Sequence, residues 1–213
     1  MSDEPQPPKA IGNALGALGA AVLFAWIARR VVSGRSEPLD AQARGVMQSH
    51  RSDALDAATR PVTLLSMPIL VVTATAALAY WLRSTDRTRA AVAVAAAPIL
   101  AATAGQSFTT FLPQRNPPDA SDARDGQETV PSFPSGHTTG VTAEALTIAY
   151  VLLNEDLASP AIIGALAAWP LLVGITRVYR DRHWLSDVLG GWVAGAGVAA
   201  LSAMLYRSPK NAQ

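Results

Sequence analysis

His183 and Asp187 stand four residues apart near the end of the stretch Thr176 to Asp187. On a helix that spacing puts both side chains on one face. A carboxylate there can accept the imidazole Nδ1–H, fix the tautomer and leave Nε2 with its lone pair free. A histidine held in this way is equipped to act as a nucleophile. Arg177 adds a permanent planar cation whose fork suits a phosphate. The same pair is also compatible with a chance i,i+4 contact or with two ligands of a metal, so it does not decide the chemistry alone.

A second stretch narrows the choice. Pro134-Ser135-Gly136-His137 runs directly into an apolar segment of helical length, which places these residues at a helix N-terminus. Free backbone N–H groups and the positive end of the helix dipole make such a terminus a phosphate site. Gly136 lets the backbone come close, Ser135 can cap or donate, and His137 is placed as a general acid.

Taken together, the two stretches resemble the type 2 phosphatidic acid phosphatase (PAP2) superfamily, whose motifs are K-x6-RP, PSGH and SR-x5-H-x3-D. PSGH is intact at 134–137. The third motif is present as Thr176, Arg177, His183 and Asp187, with threonine in place of serine. The first motif is damaged: Arg115 is the cation available, and the lysine position falls on Phe108 or Thr109. The resemblance implies that His183 attacks phosphorus, Asp187 orients it and His137 protonates the leaving group. Arg177, Arg115, Ser135, Gly136 and Thr176 would hold the phosphate, with no metal or other cofactor. Arg180 or Arg182 could stand in for the missing lysine. The implied activity is hydrolysis of a phosphomonoester or pyrophosphate on a lipid such as phosphatidate, phosphatidylglycerophosphate or a polyprenyl pyrophosphate. A vanadate-dependent haloperoxidase and a non-catalytic lipid-binding scaffold are the alternatives.

Composition fits a membrane protein. The 213 residues are 50% hydrophobic and 15% charged, with a net charge of +1 and no cysteine. Soluble domains carry about 25% charged residues, and a charge this small gives no reason to expect nucleic acid as a partner. We read one domain over 1–213, with polar tails at 1–10 and 207–213, as an all-α membrane bundle. About six spans are expected, near 11–28, 62–82, 90–112, 135–153, 160–175 and 186–206, since about 20 apolar residues cross a bilayer. For the first, a cleaved signal is the rival reading. Residues 39–58 read either as an amphipathic helix in the interface, with Arg44, Gln48 and Ser52 as a polar stripe, or as a solvated linker. Gly190, Gly191, Gly195 and Gly197 permit close helix packing.

With six spans, Arg115, His137, Arg177 and His183 all reach one membrane face. Arginine is concentrated on that face, which by the positive-inside rule argues for the cytoplasm. The resemblance argues for the opposite side of the inner (plasma) membrane, and an extracytoplasmic site is expected. Glu144, seven residues beyond His137, lies inside a span, where a carboxylate is expensive and needs a partner. It reads as an interhelical hydrogen-bonding group, with Gln106 a candidate partner, or as a group behind the site. His50 reads as a surface histidine.

Overall fold

The structure is a computed structural model that describes residues 9–118 and 131–206. The N-terminal tail, the C-terminal tail and much of the loop before Pro131, all read from sequence as polar, lie largely outside the described residues. Those residues form eight helices and no strand: α1 (Lys9–Val32), α2 (Glu37–Ser49), α3 (Asp53–Leu65), α4 (Pro68–Ser84), α5 (Thr88–Phe111), α6 (Gly136–Asn154), α7 (Pro160–Tyr179) and α8 (Leu185–Leu205).

The helix starts follow local chemistry. Ser52 and Ser135 are extended and each accepts an N–H of the first turn, the usual service of an N-cap serine. Pro68 and Pro160 occupy first positions, where no N–H is needed. Six long helices stand where six spans are expected. Taken singly, α1, α5, α7 and α8 are long and apolar enough to cross a bilayer, and α3 with α4 makes a fifth candidate bent by 49°. α6 carries four threonines and Glu144 and is not among them. It is an inner helix, with a long run of buried residues.

Two expectations are corrected. The single helix expected over 39–58 is two, because the chain leaves helical geometry at His50 and Ser52 and restarts as α3. The span expected from Val62 breaks at Met67, because a residue before proline is pushed out of the α region. Met67 is extended (φ −60°, ψ 133°) and Pro68 opens α4.

α8 is central. It packs against α6 and α1, α5 lies across α6 and α8, α4 covers α5, and α7 covers α6. Between lipid-bathed helices there is little hydrophobic drive, so close backbone approach supplies the association. A Cβ on Gly195 would lie 2.5 Å from Thr142 Cβ and 2.6 Å from the Thr139 carbonyl, and one on Gly191 would lie 2.9 Å from Thr138 Cβ. These two glycines let the first two turns of α6 pack against the second and third turns of α8. The outer faces remain apolar and exposed, as at Leu15, Leu18, Val22 and Trp26 of α1. The short helix α2 packs on α7 and α8, and α3 packs on α7, at the end where α7 turns into α8.

Gly195→Ala is expected to lower the unfolding temperature in detergent by about 2–12 °C, since overpacking costs about 1–3 kcal/mol. Gly12→Ala, where an added Cβ meets nothing within 4 Å, is expected to leave it unchanged or raise it slightly. Equal behaviour of the two variants in a thermal melt would refute the close-packing account.

Candidate active site

Asp187 is the third residue of α8 and fully buried. Its Oδ1 accepts from Arg115 Nε at 3.0 Å and Nη2 at 2.6 Å. Its Oδ2 accepts from the Trp184 N–H at 2.9 Å and from the Ser132 hydroxyl, and its carbonyl accepts the Ser135 N–H at 3.0 Å. One carboxylate residue therefore joins the chain after α5, the loop before α6 and the start of α8. A carboxylate in the first turn also meets the positive end of its own helix.

His183 is not on a helix, contrary to the expectation drawn from its spacing to Asp187. It sits in the bend between α7 and α8. Its Nδ1 is 3.0 Å from the Ser132 carbonyl, 3.4 Å from the Ser132 hydroxyl and 3.7 Å from Asp187 Oδ2. The carbonyl is an obligatory acceptor, so Nδ1 carries the proton and Nε2 the lone pair. Asp187 is linked to the histidine one step removed, through Ser132. Ser132 is the residue missed from the sequence; its one visible signal was a hydroxyl two residues before PSGH.

The remaining residues divide into two groups. Gly136 and His137 open α6 as its first and second residues and line the cleft described below. The first N–H groups of a helix have no intrahelical acceptor, and a Cβ on Gly136 would meet nothing within 4 Å, so the site has room there. Arg177, in the last turn of α7, is 6% exposed; its Nη2 donates to Ser66 at 3.0 Å and its Nε has no partner. Ser135 is fully buried and caps α6, receiving the Thr138 N–H and hydroxyl. Thr176 is buried and does not line the cleft. Arg115 turns to Asp187, Asp40, Ser36 and Ser186.

Several further expectations are revised. Arg180 is tied to α3, through Thr59 and the Asp56 carbonyl. The lysine positions are otherwise used: Phe108 packs on Phe24 at 4.5 Å between centroids, and Thr109 donates to the Gln106 carbonyl. Glu144 is bonded by Thr75 of α4 and not by Gln106. His50 is exposed, as expected, with Nδ1 2.9 Å from the Val46 carbonyl.

A cleft of about 450 Å³ opens beside the two histidines and runs between α4, α5 and α6. His137 and His183 stand at one end, and Glu144 lies along it a little under two turns deeper on α6. Between them the walls are small and apolar, including Val71, Val72, Ala101 and Val141. The Thr75–Glu144 bond bridges α4 and α6 across this space.

The molecule is thus a helical membrane protein with two histidines and a helix N-terminus at one end of an apolar cleft. It belongs to the PAP2 superfamily, whose model matches residues 88–210. The fold is similar to the solved structure of a transmembrane PAP2-type phosphatidylglycerolphosphate phosphatase from Bacillus subtilis, with a TM-score of 0.66 and 22% identity over 87% of this chain and 93% of that one. Part of the chain is similar to an undecaprenyl-diphosphatase of Sulfolobus acidocaldarius, 36% identical over 77 residues, covering 35% of this chain and 33% of that protein. Another match is a phosphatidylglycerophosphatase B of Bacillus subtilis, 40% identical over 70 residues, covering 30% of this chain and 34% of that protein. The match spans about a third of the length of these two relatives.

Ser132→Ala keeps the carbonyl that receives His183 Nδ1–H but removes the donor to Asp187 Oδ2. Losing one hydrogen bond to a charged group costs about 1.5–3 kcal/mol. Phosphate release from a lipid phosphate is therefore expected to slow about tenfold to a hundredfold, with the protein still monodisperse in size exclusion. A rate within twofold of the parent would remove Ser132 from the site.

Proposed function

We propose that this protein is a membrane-embedded lipid phosphatase that hydrolyses a phosphomonoester or pyrophosphate carried by a lipid. The observation that carries the reading is the cleft, which has two histidines at one end and hydrocarbon-like walls along the rest. Such a shape matches a ligand with a phosphate at one end and an acyl or prenyl chain at the other. Membership of the PAP2 superfamily and the phosphatase names of the relatives support the same class.

In this reading the phosphoryl group lies between His183 and the start of α6. His183 Nε2 attacks phosphorus, the bond from phosphorus to the lipid oxygen breaks, and His137 gives that oxygen a proton. Water then attacks the phosphohistidine, His137 takes a proton from it, and the P–N bond breaks to release phosphate. Charge grows on the equatorial oxygens in both steps. In this reading the orphan N–H groups of Gly136 and His137 offset it, together with the buried, unpartnered Nε of Arg177 just behind the cleft lining. Ser135 contributes by holding the helix start in shape. Cations and N–H dipoles supply the charge compensation that a metal supplies in other phosphatases, so we infer metal-independent turnover. The site is assigned to the extracytoplasmic face of the plasma membrane, following the orientation that the family resemblance implies.

His183→Ala is expected to reduce phosphate release by about a thousandfold or more on every substrate in a panel of phosphatidate, phosphatidylglycerophosphate and polyprenyl pyrophosphate. Asp187→Asn should cause a large loss in protein that still inserts. The panel is run with a chelator present; retained activity in His183→Ala, or a parent enzyme silenced by the chelator, would defeat the mechanism. Halide oxidation in place of phosphate release would point to the haloperoxidase alternative.

Orientation has its own test. The chain has no cysteine, so single cysteines at Ala120 and Lys210 report cleanly to an impermeant thiol reagent on intact cells. Labelling at 120 alone is the expected result, and labelling at 210 alone reverses the assignment.

A further inference from the structure

The two arginines that the family pattern directs to phosphate differ sharply in what they have left to give. A guanidinium carries five N–H donors. In Arg115 the Nε bond goes to Asp187, the two Nη1 bonds to Asp40 and Ser36, and the two Nη2 bonds to Ser186 and Asp187. All five donors have acceptors inside the protein. Arg177 has a bond to Ser66 and a buried Nε with none.

The far side of this arrangement is Asp40, on α2. It is 2% exposed, yet it belongs to a short helix packed on the outside of the bundle. Its Oδ1 accepts the Ser186 N–H at 2.8 Å, and its Oδ2 accepts the Ser186 hydroxyl at 2.7 Å and Arg115 Nη1 at 3.0 Å. Asp40 therefore caps the start of α8 from outside while sharing Arg115 with Asp187. Farther along the same face, Arg44 and Gln48 donate to Asp181 at 2.9 and 3.2 Å. Asp181 is itself held at φ 55° in the turn that carries His183. The polar stripe of α2 thus clasps both ends of the segment from Asp181 to Asp187. Its apolar residues Leu39 and Val46 face outward.

We propose that Asp40 is a positioning residue for the reaction, and that Arg115 serves the carboxylates Asp40 and Asp187 rather than the substrate phosphate. The chain of contacts runs from Asp40 to Arg115, to Asp187, to Ser132 and to His183. Arg115 sits between two buried carboxylates, and its positive charge is shared by both. In this protein the surviving cation of the damaged first motif acts on the nucleophile's support, and Arg177 with the α6 N-terminus holds the oxyanion. The proposal rests on the lipid phosphatase reading for its kinetic arm only.

Two measurements test it. In the first, Asp40→Asn, Asp40→Glu and Arg115→Gln are assayed with the best lipid phosphate of the panel. Asp40→Asn is expected to lose at least tenfold in kcat with KM within threefold of the parent, and Asp40→Glu to recover part of the loss. Asp40→Asn combined with Arg115→Gln should be no worse than the poorer single variant. An Asp40→Asn rate within twofold of the parent, or losses that multiply in the double variant, overturns the positioning role. In the second, inorganic phosphate is titrated against the thermal unfolding of the detergent-solubilised full chain. The midpoint of phosphate stabilisation in Arg115→Gln should stay within threefold of the parent, whereas Arg177→Gln should weaken it more than tenfold. A tenfold weakening in Arg115→Gln overturns the proposal. If Asp40→Asn or Arg115→Gln aggregates, Asp40→Glu and Arg115→Lys carry the same comparisons. A parent enzyme silent on every lipid refutes the phosphatase reading, and the phosphate titration still decides the role of Arg115.

Discussion

A carboxylate buried at the first turn of α8 is the constraint around which this end of the molecule is arranged. Asp187 is wholly removed from solvent, and an unpaired charge there is untenable. Its compensation comes from groups far apart in sequence: Arg115 after α5, Ser132 before α6 and the backbone of Trp184 beside it. Satisfying one carboxylate therefore fixes the relative position of three chain segments. The same residue's carbonyl receives Ser135 N–H, which sets the start of α6 beside the bend that bears His183. Removing one partner of such a buried pair typically costs about 3–5 kcal/mol, so the network specifies one geometry rather than a family of them.

The packing below the network has a different physical basis. Between α6 and α8 the contacts are between small groups, glycine against threonine and backbone. Phe133 is buried against the Gly190 backbone, just ahead of the helix start. Close approach here is what brings the first turn of α6 within reach of His183. On the other side α4 stands away from α6, leaving the apolar cleft, and the bond from Thr75 to Glu144 spans the gap. Polar chemistry is gathered at one end and hydrocarbon-like surface behind it, as the two halves of an amphiphilic ligand require.

The short helices α2 and α3 connect this end of the bundle to its periphery. α2 turns its charged side inward, onto Asp181, Ser186 and Arg115. α3 receives Arg180, and the break after it supplies Ser66 to Arg177. Segments outside the long apolar helices thus decide the orientation of both arginines.

What the sequence by itself determined was local. Apolar runs placed the long helices, a serine before glycine and histidine marked the start of α6, and motif spacing picked out His183, His137, Asp187 and Arg177. These features depend on neighbours within a few residues, where propensity, capping and hydropathy act. The i,i+4 rule failed for His183 because Asp187 is used to start α8, which leaves the histidine ahead of the first turn. The break at Met67 was written in the following proline, although hydropathy alone ran through it. Partners were decided by the tertiary structure: Ser132 for His183, Thr75 for Glu144, Asp40 for Arg115. A buried hydrogen bond depends on which donor and acceptor meet once helices pack, and residues 51, 69 and 75 positions apart carry no local mark of that meeting. Arg44 and Gln48 were visible as part of an i,i+4 polar stripe, while Asp40 was not singled out and Ser52 proved to cap α3. Only the fold showed which way the stripe faced, because an amphipathic helix satisfies its polar side equally well against water or against a buried charge.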